Sequence, residues 1–239
     1  MLRQAKEFKS FKLRASDGEI GKASEFYFDD KHWTVRYLVA DTGNWLSDRR
    51  VLISPNALNH VNEDESVILV DLTKKQIEES PKLDSDQPVS RQYEMQYHDY
   101  HGWSYNESPE AMKECIQHEE TWNPKLRSTS AITGYHIEAL DGGIGHIVDF
   151  IIDEETWSIR YLVVDTKNWW AGKHVIVSPQ WIERINWEES KVFVNLSREA
   201  IKQSPEYTPD SLHRVYEIEL HRHYDRKGYW SDEPTDKGR

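Results

Sequence analysis

The chain repeats itself. Asp17-Gly18-Glu19-Ile20-Gly21 returns as Asp141-Gly142-Gly143-Ile144-Gly145, an offset of 124 residues. The same offset carries Arg36-Tyr37-Leu38-Val39 onto Arg160-Tyr161-Leu162-Val163, Asp41-Thr42 onto Asp165-Thr166, and Asn44-Trp45 onto Asn168-Trp169. Ser54-Pro55, Glu65-Ser66 and Ser80-Pro81 recur as Ser178-Pro179, Glu189-Ser190 and Ser204-Pro205. No gap opens from 17 to 81, and 26 of those 65 aligned positions are identical. Chance would give only a few. A sequence built this way folds as two copies of one unit, each about 100–120 residues long and each with its own small core.

Outside the block the match loosens. Tyr93-Glu94 answers Tyr216-Glu217 at an offset of 123, and Gly102-Trp103 loosely echoes Tyr229-Trp230. Residues 106–130, with Pro109 and Pro124, have no counterpart and read as a connector in which Pro109 to His118 form a short helix. The expected organisation is therefore a first domain over 1–105 with a short N-terminal tail, the connector 106–130, a second domain over 131–232, and a C-terminal tail over 233–239.

Each copy reads as β. Phe11–Ala15 and Tyr135–Ala139 alternate in polarity, and each runs into Asp-Gly, a tight-turn signal because glycine reaches positive φ freely. A second strand extends to the acidic corners Asp29-Asp30 and Asp153-Glu154. A third follows over Trp33–Thr42 and Trp157–Thr166, rich in β-branched and aromatic residues. Val51–Ile53 and Val175–Val177 are short strands stopped by Ser-Pro, and Val67–Val70 and Val192–Val194 supply one more. Thr73 with Gln76 has capping-box spacing and predicts a helical turn ended by Pro81; the second copy keeps Ser197 but has Ala200 in place of the reciprocal partner.

Several short strands with little helix predict an all-β chain of two tandem, small, highly bent barrels, each followed by a short helical turn. Val35, Tyr37 and Val39 share one face of the third strand, with Leu38 and Ala40 on the other. A strand apolar on both faces is covered on both. The economical cover for Leu38 and Leu162 is the other copy, so the expectation is an internal pseudo-twofold pair; a further homodimer stays open.

The joint order Asp-Gly-x-Ile-Gly, Trp-x-hydrophobic-Arg-Tyr-Leu-Val-x-Asp-Thr-x-x-Trp and Val-x-hydrophobic-Ser-Pro resembles the PRC-barrel domain over roughly 11–83 and 135–207. The resemblance implies an interaction or assembly module with no catalytic residues of its own. Relatives include the cytoplasmic domain of the photosynthetic reaction-centre H subunit and the C-terminal domain of a ribosome maturation factor. The chain lacks the membrane helix of the first and the companion domain of the second, and is similar to stand-alone bacterial proteins with two such barrels.

Composition removes several function classes. Lys and Arg number 30 against 42 Asp and Glu, a net charge of −12, which disfavours general binding of a phosphate backbone. No apolar run approaches the ~20 residues of a membrane span, and Met1-Leu2-Arg3-Gln4 opens no signal peptide. The single Cys115 fits a reducing compartment, so the expected location is the cytoplasm. The chain carries no nucleophile elbow, phosphate loop, metalloprotease helix or dinucleotide fingerprint.

Four groups of residues remain as candidates. Arg36, Asp41, Arg160 and Asp165 could line a polar pocket, although residues five apart on one strand point to opposite faces and each pair could equally serve turns and neighbouring strands. Trp45, Trp169 and Trp170 lie in loops, where a large ring either closes its own barrel or meets a partner. Trp170, Trp181 and Trp187 belong to the second copy alone, which should then carry the partner contact. His98, His101, His221 and His223 are weak metal candidates: no zinc spacing fits them, and on a strand His221 and His223 would share a face. No metal or cofactor is expected. The sequence thus points to a non-enzymatic binding module with an unnamed protein or small-ligand partner. Three other readings stay open: an accessory of an electron- or proton-transfer complex, an enzyme with a polar pocket between the barrels, and a purely structural stress or storage protein.

Overall fold

A computed structural model describes residues 1–43, 45–46, 51–62, 65–80, 100–102, 126–166 and 173–231. The chain divides into two compact units. The first comprises Met1, Arg3–Ile132 and Ile152–Ile159; the second comprises Leu2, Thr133–Ile151 and Arg160–Arg239. The architecture is mostly strand, in two sheets with few short helices. It is the all-β, two-domain organisation that the repeat predicts.

The chain begins with β1 (Leu2–Gln4) and α1 (Ala5–Phe8). The expected N-terminal tail is therefore ordered, because Phe8 is fully buried and meets Phe26 edge-on at 5.2 Å. Six strands follow: β2 (Lys12–Ala15), β3 (Gly18–Asp29), β4 (Thr34–Asp41), β5 (Val51–Ile53), β6 (Leu58–Asn62) and β7 (Val67–Val70). They run in the order β5-β4-β3-β2-β7-β6, antiparallel except where β2 lies parallel to β7. After β7 comes α2 (Lys74–Glu79), with the full capping box of Thr73 and Gln76. β8 (Leu126–Ser128) adds to the outer half of β3, and α3 (Thr129–Ile132) follows it. Leu126 to Ser130 thus belong to the fold and not to the connector, and the expected helix at Pro109–His118 lies outside the described residues. Within this unit Tyr27, Tyr37, Val39, Leu52 and Leu126 form one buried cluster.

The second unit repeats the plan. β9 (His136–Ala139), β10 (Gly142–Asp153), β11 (Ile159–Asp165), β12 (His174–Val177), β13 (Ile182–Asn186) and β14 (Lys191–Val194) take the order β12-β11-β10-β9-β14-β13. α4 (Arg198–Gln203) corresponds to α2, with Ser197 accepting from the Ala200 amide and no reciprocal bond. β6 and β13 escape a reading by alternation, since Leu58-Asn59-His60-Val61-Asn62 is polar and begins directly after a single-turn helix (Pro55–Ala57). Leu38 and Leu162 are fully buried, each in its own unit.

The repeated polar residues are occupied by the fold. Asp17 and Asp141, at the Asp-Gly turns, accept the backbone amides of Lys74 and Arg198, tying each turn to the helix start 57 residues later. Ser54 and Ser178 cap the single-turn helices, and Ser80 and Ser204 close α2 and α4 through the carbonyls of Ile77 and Ile201. Gly21 and Gly145 take positive φ, and a Cβ on either would stand 2.0 Å from the carbonyl oxygen of Asp41 or Asp165. Trp33 and Trp157 hold left-handed φ of 56° and 55° at the ends of the acidic corners. Inside the first unit the two corners exchange hydrogen bonds: the Val35 amide donates to the Trp157 carbonyl at 2.8 Å, and the Ile159 amide donates to that of Trp33 at 2.7 Å.

Candidate functional site

One cluster in the second unit is not explained by turn-making. After α4 the chain forms a helix, α5 (Arg214–His223), started by the His213 ring, whose Nδ1 accepts the Tyr216 amide at 3.2 Å. Tyr216, Leu220 and Tyr224 recur at i, i+4 and i+8 and are buried, so one stripe of α5 is pressed inward. His223 donates from Nε2 to the Ala200 carbonyl at 2.7 Å, and the Tyr216 hydroxyl donates to that of Pro205 at 3.3 Å. Those two bonds anchor the helix beside α4.

The same turn carries Glu217 and His221, both nearly inaccessible. The Tyr161 hydroxyl on β11 stands 2.9 Å from Glu217 Oε1 and 3.0 Å from His221 Nε2. Arg214 reaches Glu217 Oε2 at 3.2 Å. His221 Nδ1 lies 2.9 Å from the Lys227 carbonyl, which can only accept, so Nδ1 bears the hydrogen and Nε2 is the accepting nitrogen of the neutral ring. Trp181, from the single-turn helix Pro179–Trp181, stands 5.2 Å from the His221 ring, and Trp230 stands 5.0 Å from it. Arg160 lies over the Tyr229 ring at 3.9 Å, and Arg214 over Trp230 at 4.4 Å.

Burial, reinforced by the neighbouring Glu217 carboxylate, lifts the Tyr161 hydroxyl far above the usual phenol range; Tyr229 is raised for the same two reasons. Burial also pushes Tyr224 up to about 12. Both phenols at Glu217 are thus donors throughout the physiological range. His221 is pulled below the ordinary histidine value chiefly by burial, with the Arg214 charge acting in the same direction. Burial is the largest influence and works against the Arg214 charge, but Glu217, Tyr229 and Tyr161 together outweigh it, and the guanidinium is held more firmly charged. Chemically, the cluster is a buried carboxylate satisfied from three sides, next to an imidazole whose second proton is unwelcome.

A family model for the PRC-barrel domain matches residues 4–77 and 141–201. The chain belongs to the PRC-barrel family. The two matched segments are the two tandem domains, and both stop short of α5, so Glu217 and His221 lie outside the part that the family model describes, while their partners Tyr161 and Trp181 lie inside it. No curated protein matches the sequence.

The candidates named by sequence fall in different places. Arg36 donates to Asp29 Oδ2 at 3.0 Å; Asp41 lies exposed and accepts the Gly43 amide at 3.0 Å. Arg160 joins the aromatic edge of the α5 cluster, and Asp165 is half-buried at the end of β11. Trp45 is half-buried with the Lys74 ammonium 4.5 Å from its ring, folded against its own unit. Trp169, Trp170 and His98 lie outside the described residues. Trp181 is 3% exposed: it is a floor under α5 and presents no open surface. Trp187 is half-buried against Tyr135. His101 packs edge-on against Tyr100. His221 and His223 sit on a helix, where two residues are about 200° apart, so one ring is buried and the other exposed. Among the described residues no three His, Cys, Asp or Glu converge as a metal would require, and no helix is long and apolar enough to cross a membrane.

Glu217 was missed by sequence reasoning. Its signal was present: Arg214, Glu217 and His221 at i, i+3 and i+7 place one polar stripe beside an apolar one, and Tyr93-Glu94 hinted at a counterpart.

Proposed function

We propose that the chain is a non-enzymatic binding and assembly module that acts through a protein partner, and that its second unit carries the contact. The observation behind this reading is the outer face of α5. Val215 is 62% and Ile218 38% exposed, so two apolar side chains one turn apart line the side opposite the buried stripe. A helix tied down by Tyr216, Glu217, Leu220 and His221 is a rigid platform, and rigid apolar platforms are what partner proteins read. The polar groups nearby do not form a reaction centre in this reading, because Glu217 is held by Arg214 and Tyr161, and His221 by Lys227 and Tyr161. A cytoplasmic setting belongs to the same proposal, supported by the lone Cys115.

The test is affinity capture with the wild-type chain beside a V215E/I218E variant. A specific protein retained by the wild type and lost by a variant of unchanged unfolding midpoint supports the reading. Equal capture by both moves the contact away from α5, and capture by neither removes the assembly role.

A further inference from the structure

His221 is enclosed on every side. β11 supplies the Tyr161 hydroxyl at Nε2 and, beyond it, Arg160; the helix itself supplies Glu217 and Arg214. Trp181 closes one ring face, and the turn after the helix brings the Lys227 carbonyl, Tyr229 and Trp230. Glu217 is the one carboxylate among these groups, and it already answers Arg214 while accepting from Tyr161. A proton added to Nε2 would place a further cation between two indoles and beside two arginines, sharing a counter-ion already engaged.

The docked state offers that proton one gain only. The Tyr161 hydroxyl has a single hydrogen for two acceptors, Glu217 Oε1 and His221 Nε2, and an imidazolium would donate to it. Against that gain stands the loss of water from a whole charge. When α5 lifts away, the imidazolium regains water and Glu217 keeps Arg214 three residues before it on the same helix face.

We propose that protonation of His221 releases α5 from the second sheet, so that the C-terminal helix is an acid-opened clasp over Trp181. The lowered proton affinity of the buried ring agrees with this direction. A group whose folded value lies below its unfolded one stabilises the docked state above the unfolded value, about 6.5 for histidine, and that contribution is lost as the pH falls through the folded value. Opening would uncover Tyr216, Leu220 and Tyr224 together with the indole beneath them, a larger apolar surface than the outer face of α5. The inference does not depend on the partner proposed above.

Hydrogen exchange of the full-length protein between pH 7.5 and 5.0, corrected for intrinsic exchange, tests it. Protection of the peptide spanning Arg214–Tyr224 should fall by up to about tenfold per pH unit below ~6.5, while peptides from β9 and β10 keep theirs. His213 caps the same helix with a second imidazole, so the measurement is repeated in H213N, where asparagine keeps the cap without that ring. Persistence of the loss in H213N, with its disappearance in H221Q, supports the clasp. Protection that is flat or rises on acidification overturns it, as does a loss that vanishes in H213N. Should H221Q fail to fold, nitrogen resonances of the wild-type ring decide: a neutral His221 in docked α5 at pH 6 supports the proposal, and an imidazolium in a fully protected helix at pH 5 refutes it.

Discussion

Gly21 and Gly145, with φ of 132° and 148°, differ from Gly43, with φ of 56°, in backbone conformation and in what surrounds them. All three have positive φ, but a Cβ at Gly21 or Gly145 would sit 2.0 Å from a strand carbonyl, whereas one at Gly43 would find nothing within 4 Å. G21A or G145A must therefore push β3 off β4 or β10 off β11, at a cost of ~3 kcal/mol or more, while G43A costs about 1 kcal/mol. Urea unfolding of the three variants measures the contrast. Asp29 makes a second residue-scale case. Its fully buried carboxylate accepts from the amides of Lys31 and His32, from the His32 ring and from Arg36. Burial alone would raise its pKa, but the hydrogen bonds from His32, Arg36 and the two amides outweigh it, and the group is held below the usual aspartate value of 3.8. Its stabilisation is thus complete above about pH 4 and is lost as acid protonates the folded form. D29A should cost about 3 kcal/mol at neutral pH by leaving Arg36 without its carboxylate, and D29N about half of that, because the amide oxygen still accepts the turn amides. As the pH falls below 3.8 the urea midpoints of the wild type and D29N should draw together.

At the scale of one element, α5 divides cleanly into two faces. L220A removes a fully buried side chain and should destabilise by about 2–5 kcal/mol, whereas V215E/I218E should leave the unfolding midpoint within about 0.5 kcal/mol. Y161F tests the polar half: it strips one donor from Glu217 and the partner of His221 Nε2, for a loss of about 1–3 kcal/mol. The order of effects inside the cluster follows from magnitudes. A hydrogen bond is worth about 1 kcal/mol net, and taking a charge out of water costs several. Burial therefore decides the proton affinity of His221, and the single hydrogen of Tyr161 does not. Alternation and turn residues made β2–β5 and β9–β12 legible in the sequence, because period-2 burial is a local signal. α5 was not, because its meaning depends on Tyr161 and Trp181, residues 53 and 33 positions before Arg214 that only the fold brings to it. Trp181 was misplaced for a related reason: an unpaired tryptophan in the second copy looks like surface until the helix that covers it is known.

For the molecule as a whole, the duplication was plain from identities, yet the repeats and the compact units are not the same thing. Leu126-Arg127 stands 124 residues after Leu2-Arg3, so the repeat reaches further towards each start than the Asp-Gly landmarks suggested, but two identities among dissimilar neighbours carry too little weight to be noticed. Ile152–Ile159 belongs to the second repeat in sequence and to the first unit in space. There the Trp157 ring lies 5.9 Å from Phe8 and 6.3 Å from Phe26, Arg3 pairs with Glu154, and the Trp157 carbonyl accepts the Val35 amide. The consequence is a substitution whose effect appears far along the chain from where it is made. W157A should destabilise the first unit by about 3 kcal/mol, since it removes a half-buried indole from the Phe8 and Phe26 rings and relaxes a left-handed corner. Hydrogen exchange would then show lost protection in peptides from α1 and the outer half of β3. The strands β12–β14, which belong to the second unit, should keep theirs. Loss confined to β12–β14 would mean that the corner belongs to its own repeat after all.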